Sequence, residues 1–342
     1  MQKKVTIYDL AAKLDFSAGT ISRALSNHPG ISQKTKGIVQ AKAKEMGYRS
    51  NKFAANLSKQ KSNTIGVIVP RLNSHFMSAV LSGVEKVANE AGYNLIISQS
   101  LESESKEIIN SQVLFNSGVD ALLVSLAYDT DHYDHFTTFT NRNIPLVFFD
   151  RVTTLPGCTT ILINNEQAGF EATEHLIQQG CRKILYVGGN LKRNVYHDRY
   201  EGFKRAHRIH DLPLTDDLLF ETDLSSQMAG KVINYIQNHS GKVDGLFVAN
   251  DTLAVRCIQE LQKAGYQVPN DIKVVGFNND PISEVISPAL STIEYPGIKM
   301  GILAGQSIIS HLEGNLNLQP TDSIVLRHKL IVRESSLATT TN

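Results

Sequence analysis

From Thr64 onward, short runs of β-branched and aliphatic residues alternate with segments of helical spacing, and this alternation restricts the chain more than any other feature. The runs are TIGVIVP (64–70), YNLIIS (93–98), DALLVS (120–125), PLVFFD (145–150) and TILIN (160–164). A second set follows: KILYVGG (183–189), LLFE (218–221), GLFVAN (245–250), DIKVVGF (271–277) and LSTI (290–293). Runs this short and this apolar fit strands buried on both faces. The intervening stretches at 76–91, 105–117, 166–180, 199–210, 225–239, 251–264 and 298–314 carry apolar residues at i, i+3 and i+4. Strand–helix alternation of this kind builds parallel sheets covered by helices. Two sets of about five strands predict two similar, doubly wound lobes. Ligands in such folds bind beyond the carboxyl ends of the strands, here in the cleft between the lobes.

The first 61 residues follow another rule. They hold 12 lysines and arginines against three acidic residues, a formal +9, while the remaining 281 hold 22 against 30, a formal −8. The whole-chain charge of +1 conceals the split. A basic module beside an acidic body points to a nucleic-acid binder joined to something with another task. A solvated basic tail would give the same charge, but the apolar pattern argues for folded structure. Thr6 can cap a helix with Ile7, Leu10, Ala11 and Leu14 on one face. Asp15-Phe16 breaks it, and Asp tolerates the left-handed backbone that a tight turn needs. Ser17 can cap a second helix with Ile21, Ala24 and Leu25 inward and Ala18, Gly19, Ser22 and Arg23 outward. Ser32 can cap a third, with Val39, Ala43 and Met46 on one face and Gly47 at its end. Short helices joined by a tight turn predict a helix-turn-helix unit whose second helix enters the major groove.

The stretch VTIYDLAAKLDFSAGTISRALSNHPGIS, continuing through GYRSN into KFAANL, resembles the DNA-binding head of LacI/GalR-type bacterial transcription regulators. The likeness runs without gaps, and the two-lobed pattern after it resembles that family's periplasmic-binding-protein-like effector domain. It implies DNA contacts at Thr6, Tyr8, Ser17, Ala18, Gly19, Thr20, Ser22, Arg23 and Asn27, with Ala18 and Gly19 at the main base-reading positions and Arg23 on a base. It also implies a hinge helix over residues 50–57 that forms on DNA beside its dimer mate, with Asn51 and Ala54 at the DNA and Leu57 wedged into the minor groove. By the residues alone this stretch is a plain linker, since eight residues do not hold a helix in water. The chain departs from the family at Asp15 (usually Gly), Ser50 (usually Pro) and Ala55 (commonly Arg). The expected divisions are a head at 1–49, hinge and linker at 50–63, an effector-binding and dimerisation body at 64–335, and a disordered polar tail at 336–342.

Within the body, polar residues at strand ends are the candidates for a site. Asp150 ends one strand and Arg151 follows it. Arg199 lies in RYEGF, which resembles the family's RxxGF ligand motif. Asn250 ends another strand, Asn278 follows VVGF, and Asp251 reads as the cap of the helix after it. Family position adds Asn73, His75 and Phe76, with Phe76 as a stacking surface. A carboxylate, a guanidinium and amides around one cleft suit a ligand rich in hydroxyls. Phe149, inside its strand, reads as core. Asn278, where family members commonly have Asp, and Leu224, near a common aromatic position, keep the ligand open among sugars, sugar phosphates and nucleosides.

Other chemistries find little support. There is no GxSxG, P-loop, GxGxxG after a strand, or HExxH, so no enzyme and no catalytic residue is expected. Cys158, Cys181 and Cys257 are far apart and in no zinc spacing. His132-x-x-His135, beside Asp129, Asp131 and Asp134, reads as a solvated loop and helix start rather than a metal site. The arginines and histidines of 192–210 read as an exposed helix face. No metal or cofactor is expected. No secretory signal or membrane span is recognisable, which leads to the expectation of a cytoplasmic homodimer that binds a pseudo-palindromic double-stranded operator and a small-molecule effector. The other candidate with the same body is a solute-binding protein, which would need a signal peptide where the basic helices stand.

Overall fold

A computed structural model describes residues 5–48, 61–238, 242–318 and 323–337. The chain divides into two compact units, 1–62 and 63–342.

In the first unit, helix α1 (Ile7–Leu14) starts at a reciprocal cap: Thr6 Oγ1 accepts from the Asp9 N–H at 3.3 Å, and the Asp9 carboxylate accepts from the Thr6 N–H at 2.7 Å. Asp15 then takes φ 54°, and α2 (Ala18–Leu25) follows with Ser17 as its cap. Helix α3 (Gln33–Glu45) is capped by Ser32. Leu10, Ile21, Ala24, Val39 and Ala43 are buried at the centre, with Ile7, Leu14, Leu25 and Met46 packed around them. One burial was not expected from the apolar pattern: Lys36 lies inside, its Nζ donating to Asn27 O at 3.2 Å and tying α3 to the turn after α2. So small a core leaves little reserve. Ile21→Ala is therefore expected to cost about 2–5 kcal/mol, which would unfold this unit while the rest of the chain stays folded. Calorimetry should show its transition lost or displaced to low temperature, with the body's transition unmoved.

The second unit holds two six-stranded sheets. The first runs β11-β5-β4-β3-β1-β2, built from β1 (Thr64–Val69), β2 (Asn94–Gln99), β3 (Ala121–Val124), β4 (Leu146–Phe149), β5 (Thr159–Ile163) and β11 (Ser323–Leu326). The second runs β12-β10-β9-β8-β6-β7, from β6 (Ile184–Gly188), β7 (Leu219–Glu221), β8 (Gly245–Val248), β9 (Lys273–Asn278), β10 (Ser291–Glu294) and β12 (Lys329–Ile331). Every pairing is parallel except β10 with β12.

Each sheet thus has one strand more than the sequence predicts. Both extra strands are edges near the C-terminus, half exposed and without a buried apolar run to mark them. They show that the chain returns to the first lobe and then the second. It crosses between lobes after β5, after β10 and between β11 and β12.

Helix α4 (His75–Glu90) covers the first sheet beside α12 (Gly297–Leu312), and α5 (Glu104–Asn116) lies near α6 (Asp134–Thr140). In the second lobe, α7 (Asn165–Gln178) crosses α8 (Asn194–Ile209), with α9 (Ala229–Asn238) and α10 (Asp251–Lys263) packed together. The α7–α8 crossing is close because Gly169 and Gly202 lack side chains: a Cβ on either would collide with the other helix's backbone. Phe149 is fully buried in the core.

The structure corrects three expectations. Ser336, placed in the disordered tail, is fully buried; its Oγ lies 2.6 Å from both His175 Nε2 and Ser291 Oγ. The face of 192–210 is only partly solvated: His197 and Arg208 are exposed, but Arg199 and His207 are buried within the second lobe and Arg193 is buried against the first. His135 stands at the helix start expected there, that of α6, but it is not solvated: its Nε2 is 3.1 Å from the buried carboxylate of Glu107. His132 lies apart from it, 3.1 Å from Glu104. Among the described residues no group of His, Cys, Asp or Glu could hold a metal ion.

Candidate functional site

On the first unit, Thr6, Tyr8, Ser17, Gly19, Ser22, Arg23 and Asn27 are exposed, and Ala18 and Thr20 are half-buried at the start of α2. Tyr8 leaves 73% of its surface in solvent. Core packing explains none of these exposed side chains. Arg23 Nε donates to Gly19 O at 3.3 Å, one turn back, which aligns the guanidinium along α2 and leaves its terminal nitrogens free among the described residues. Asn51, Ala54 and Leu57, with the hinge helix expected over 50–57, lie outside the described residues.

Between the lobes of the second unit lies a cavity of about 170 Å3. It is lined by Phe76, Asp150, Arg199, Asn250 and Asn278 from the expected set. Asn73 and His75 are not in it. Asn73 faces a separate shallow depression, and His75 Nδ1 stands 3.5 Å from Asp280 on the opposite lobe. The first turn of α4 explains this: Phe76 points into the domain, so its predecessor must point out.

Arg199 is 3% exposed and fixed on three sides. Its Nε donates to Asn165 Oδ1 at 2.9 Å, its Nη1 to Ala249 O at 3.1 Å, and its guanidinium lies 3.5 Å from the centre of the Phe277 ring. Nη2 donates to nothing among the described residues. A pre-paid, dehydrated guanidinium with one edge free is a rigid hydrogen-bond donor. Asp150 is its acceptor counterpart across the cavity. Its carboxylate accepts from Tyr295 Oη at 2.8 Å and Ser125 Oγ at 3.3 Å. Burial raises its pKa, while Arg151, Tyr295 and Arg199 pull the other way. It holds a left-handed backbone at φ 60°.

Other lining residues were not among those predicted. Tyr196 is three residues before Arg199 and on the same helix face, but α8 begins five residues earlier than the pattern at 199–210 indicated. Tyr295, in the second crossing between lobes, stacks on Phe76 with ring centres 4.2 Å apart. Glu102 pairs with Arg151 at 2.6 Å and with Arg71 at 3.2 Å, while Arg151 also donates to Tyr196 Oη at 2.9 Å. Burial opposes the charge of Arg151, but Tyr196, Glu102 and Asp150 hold its pKa above the ordinary value. Asp223 is kept below the usual carboxylate range by the Ser225 backbone N–H at 2.9 Å. The cavity is therefore lined by three guanidiniums and three carboxylates.

Capping at the head of α10 is the reverse of that expected. Asn250 is the cap, its Oδ1 accepting from the Leu253 N–H at 2.7 Å and its Nδ2 donating to Leu224 O at 3.0 Å. Asp251 is instead fully buried, accepting from Thr292 Oγ1 at 2.6 Å and the Asp280 N–H at 2.7 Å. Burial pushes its pKa up to about 7, despite the bonds from Thr292 and Asp280 N–H. A raised carboxyl pKa means that the folded chain binds this proton more tightly than the unfolded chain. Asp251 should therefore make stability fall as pH rises from about 4 to about 7, by at most about 1.4 kcal/mol per pH unit. Urea unfolding at several pH values should show this slope in the native chain and its reduction in Asp251→Asn.

Residues 6–51 match the family model for bacterial regulatory proteins of the lacI family, and residues 173–336 match that for a periplasmic binding protein-like domain. Catabolite control protein A of Priestia megaterium is 28% identical over 335 residues, covering 97% of this chain and 99% of its own. The chain belongs to the lacI family of bacterial regulatory proteins. Like other lacI-family members it is a DNA-binding transcriptional regulator and not an enzyme. The lac repressor dimer bound to operator and the anti-inducer ONPF shares its fold at TM-score 0.86 and 23% identity, covering 98% of this chain and 100% of that one. A lacI-type regulator from Alkaliphilus metalliredigens, complexed with D-xylulofuranose, matches at TM-score 0.70 and 27% identity over 81% of this chain and all of that one.

Proposed function

We propose that this lacI-family regulator represses transcription from a pseudo-palindromic operator as a cytoplasmic homodimer, and that a neutral, hydroxyl-rich small molecule of the sugar class switches it from the cavity between the lobes. The observation that carries the ligand class is the balance of charge. Arg71 and Arg151 are already paired with Glu102, and the charges of Arg199 and Asp150 act on each other, so three guanidiniums are matched by three carboxylates and no excess of positive charge is left for a phosphate. The guanidinium edge of Arg199 that donates to nothing among the described residues, and the Asp150 carboxylate, whose oxygens each accept one bond and can accept another, suit vicinal hydroxyls, donor and acceptor in turn. Phe76 already has Tyr295 stacked on it, which favours a compact ring with polar edges over a large flat base. The ligand of the Alkaliphilus metalliredigens relative, D-xylulofuranose, is of the same class.

DNA contacts are assigned to Thr6, Tyr8, Ser17, Ala18, Gly19, Thr20, Ser22, Arg23 and Asn27, and, further along the chain, to Asn51, Ala54 and Leu57. A second copy of the chain accounts for apolar side chains that packing leaves uncovered. Ile96 and Ile97 on the edge strand β2 are 39% and 40% exposed, Ile109 and Val113 on α5 are 60% and 53%, and Val285 in the second lobe is 82%.

A thermal-shift screen of the full chain against pentoses, hexoses, their phosphates and nucleosides tests the ligand class. A neutral sugar should raise the body's midpoint in proportion to the logarithm of its concentration. Stabilisation by the phosphates and not by the parent sugars would overturn the reading.

A further inference from the structure

The segment 190–194 leads from β6 into α8 and meets the first lobe through four side chains, none of which itself lines the cavity. Asn190 Nδ2 donates to Tyr128 O at 3.0 Å, and the guanidinium of Arg193, 3% exposed, donates to Thr130 O. Lys192 Nζ lies 2.8 Å from the Asp131 carboxylate. Asn194 uses both ends of its amide: Oδ1 accepts from the Val152 N–H at 3.0 Å, and Nδ2 donates to Asp150 O at 3.1 Å. Those two backbone groups flank Arg151. One side chain from the second lobe therefore holds the turn of the first lobe that presents Asp150 and Arg151 to the cavity. Asp150 itself sits in the left-handed conformation, which Asp tolerates better than most non-glycine residues.

We infer that 190–194 is a clasp that shuts the lobes over the cavity, and that Asn194 is a positioning residue that sets Asp150 and Arg151 for the effector. The physical basis is that its partners are main-chain groups at a strand exit. The contact forms only when the lobes are closed and that turn has its binding conformation. Effector binding and closure are then linked, because any ligand that needs Asp150 in place binds only the clasped state. The contributions differ along the segment. Lys192–Asp131 is largely solvent-exposed and adds little. Asn190 and Arg193 attach the segment to the loop after β3, whereas Asn194 alone reaches the residues of the site.

The clasp is testable without an effector. Cys158, Cys181 and Cys257 are all buried, so spin labels on Lys106→Cys in α5 and Lys231→Cys in α9 report the distance between lobes in the full chain. Labelled chains diluted with excess unlabelled chain give a within-chain distance. The native sequence should give one narrow distribution. Asn194→Ala should shift it to longer, broader distances, and Lys192→Ala should leave it unchanged. A distribution for Asn194→Ala identical to the native one would overturn the proposal. Asn194→Asp, which keeps the acceptor for the Val152 N–H but loses the donor to Asp150 O, should also open the lobes.

The affinity arm rests on the sugar reading above. Calorimetry with D-ribose, D-xylose and D-glucose should show roughly tenfold weaker binding to Asn194→Ala for whichever sugar binds the native chain, the loss of about one to two hydrogen bonds. If no sugar binds the native chain, the ligand class is wrong, and the interlobe distances still decide whether the clasp exists.

Discussion

Arg23→Ala is expected to abolish operator selectivity while leaving non-specific DNA binding and effector binding intact. Arg23 projects from the exposed face of α2, anchored at Nε by Gly19 O and with its terminal nitrogens free among the described residues. Such a fork matches the paired acceptors of guanine in the major groove. Each bidentate contact discriminates by about 1–3 kcal/mol, so a dimer that makes it twice stands to lose about 2–6 kcal/mol. The neighbouring Gly19 has no side chain and Ala18 only a methyl group, which concentrates base reading in this arginine. The non-specific part of the affinity comes from the basic charge of the module, and removing one cation of 12 changes it little. Fluorescence anisotropy with operator and scrambled duplexes at fixed salt should give nearly equal dissociation constants for the variant. Retained discrimination would remove Arg23 from base recognition.

Arg199→Ala should weaken effector binding by about 2–4 kcal/mol, or roughly 30- to 1000-fold, as expected for a dehydrated, multiply bonded arginine at the centre of a site. The variant also leaves Ala249 O and Asn165 Oδ1 without their donor and uncovers the Phe277 face. Because those groups are buried, the body should lose about 1–3 kcal/mol of stability as well. Arg199→Lys separates the two effects. A lysine restores a positive charge but not the planar fork, so stability should recover more than affinity. Calorimetric titration with the stabilising sugar gives the affinity, and DNA binding without effector should match the native chain. Unaltered sugar affinity in Arg199→Ala would place the ligand elsewhere.

Local rules account for the parts of the chain that were legible. Thr6, Ser17 and Ser32 cap helices because a side-chain oxygen satisfies N–H groups three residues on, a relation contained within four residues of sequence. Eight of the ten predicted strands follow from apolar runs buried on both faces, while the edge strands β2 and β7 show only as short apolar runs that stay partly exposed. Arg199 and Asp150 could be picked out because a charge at the end of a buried strand or inside an apolar helix face needs a reason to be there. Failures came where a distant partner decides. Asn250 and Asp251 are adjacent and both able to cap, and only the position of Thr292 and the Asp280 N–H, far along the chain, turns Asp251 inward. Nothing local marks out Tyr196 or Tyr295, which meet at the cavity only in the folded chain. His75 was displaced from the site by a single residue of helical phase.

What the sequence determined by itself is thus the division of labour: a basic three-helix module, an acidic body of alternating strands and helices, and the residue types that a hydroxylated ligand needs. These follow from charge, capping and periodicity, which act over a few residues. The tertiary structure alone decided which of those residues meet. Three crossings of the chain between lobes, two of them involving half-exposed edge strands, bring Asp150, Tyr196, Arg199 and Tyr295 around one cavity. The same crossings place Asn194 against the Asp150 turn, and that contact depends on the closure of two lobes rather than on any local propensity.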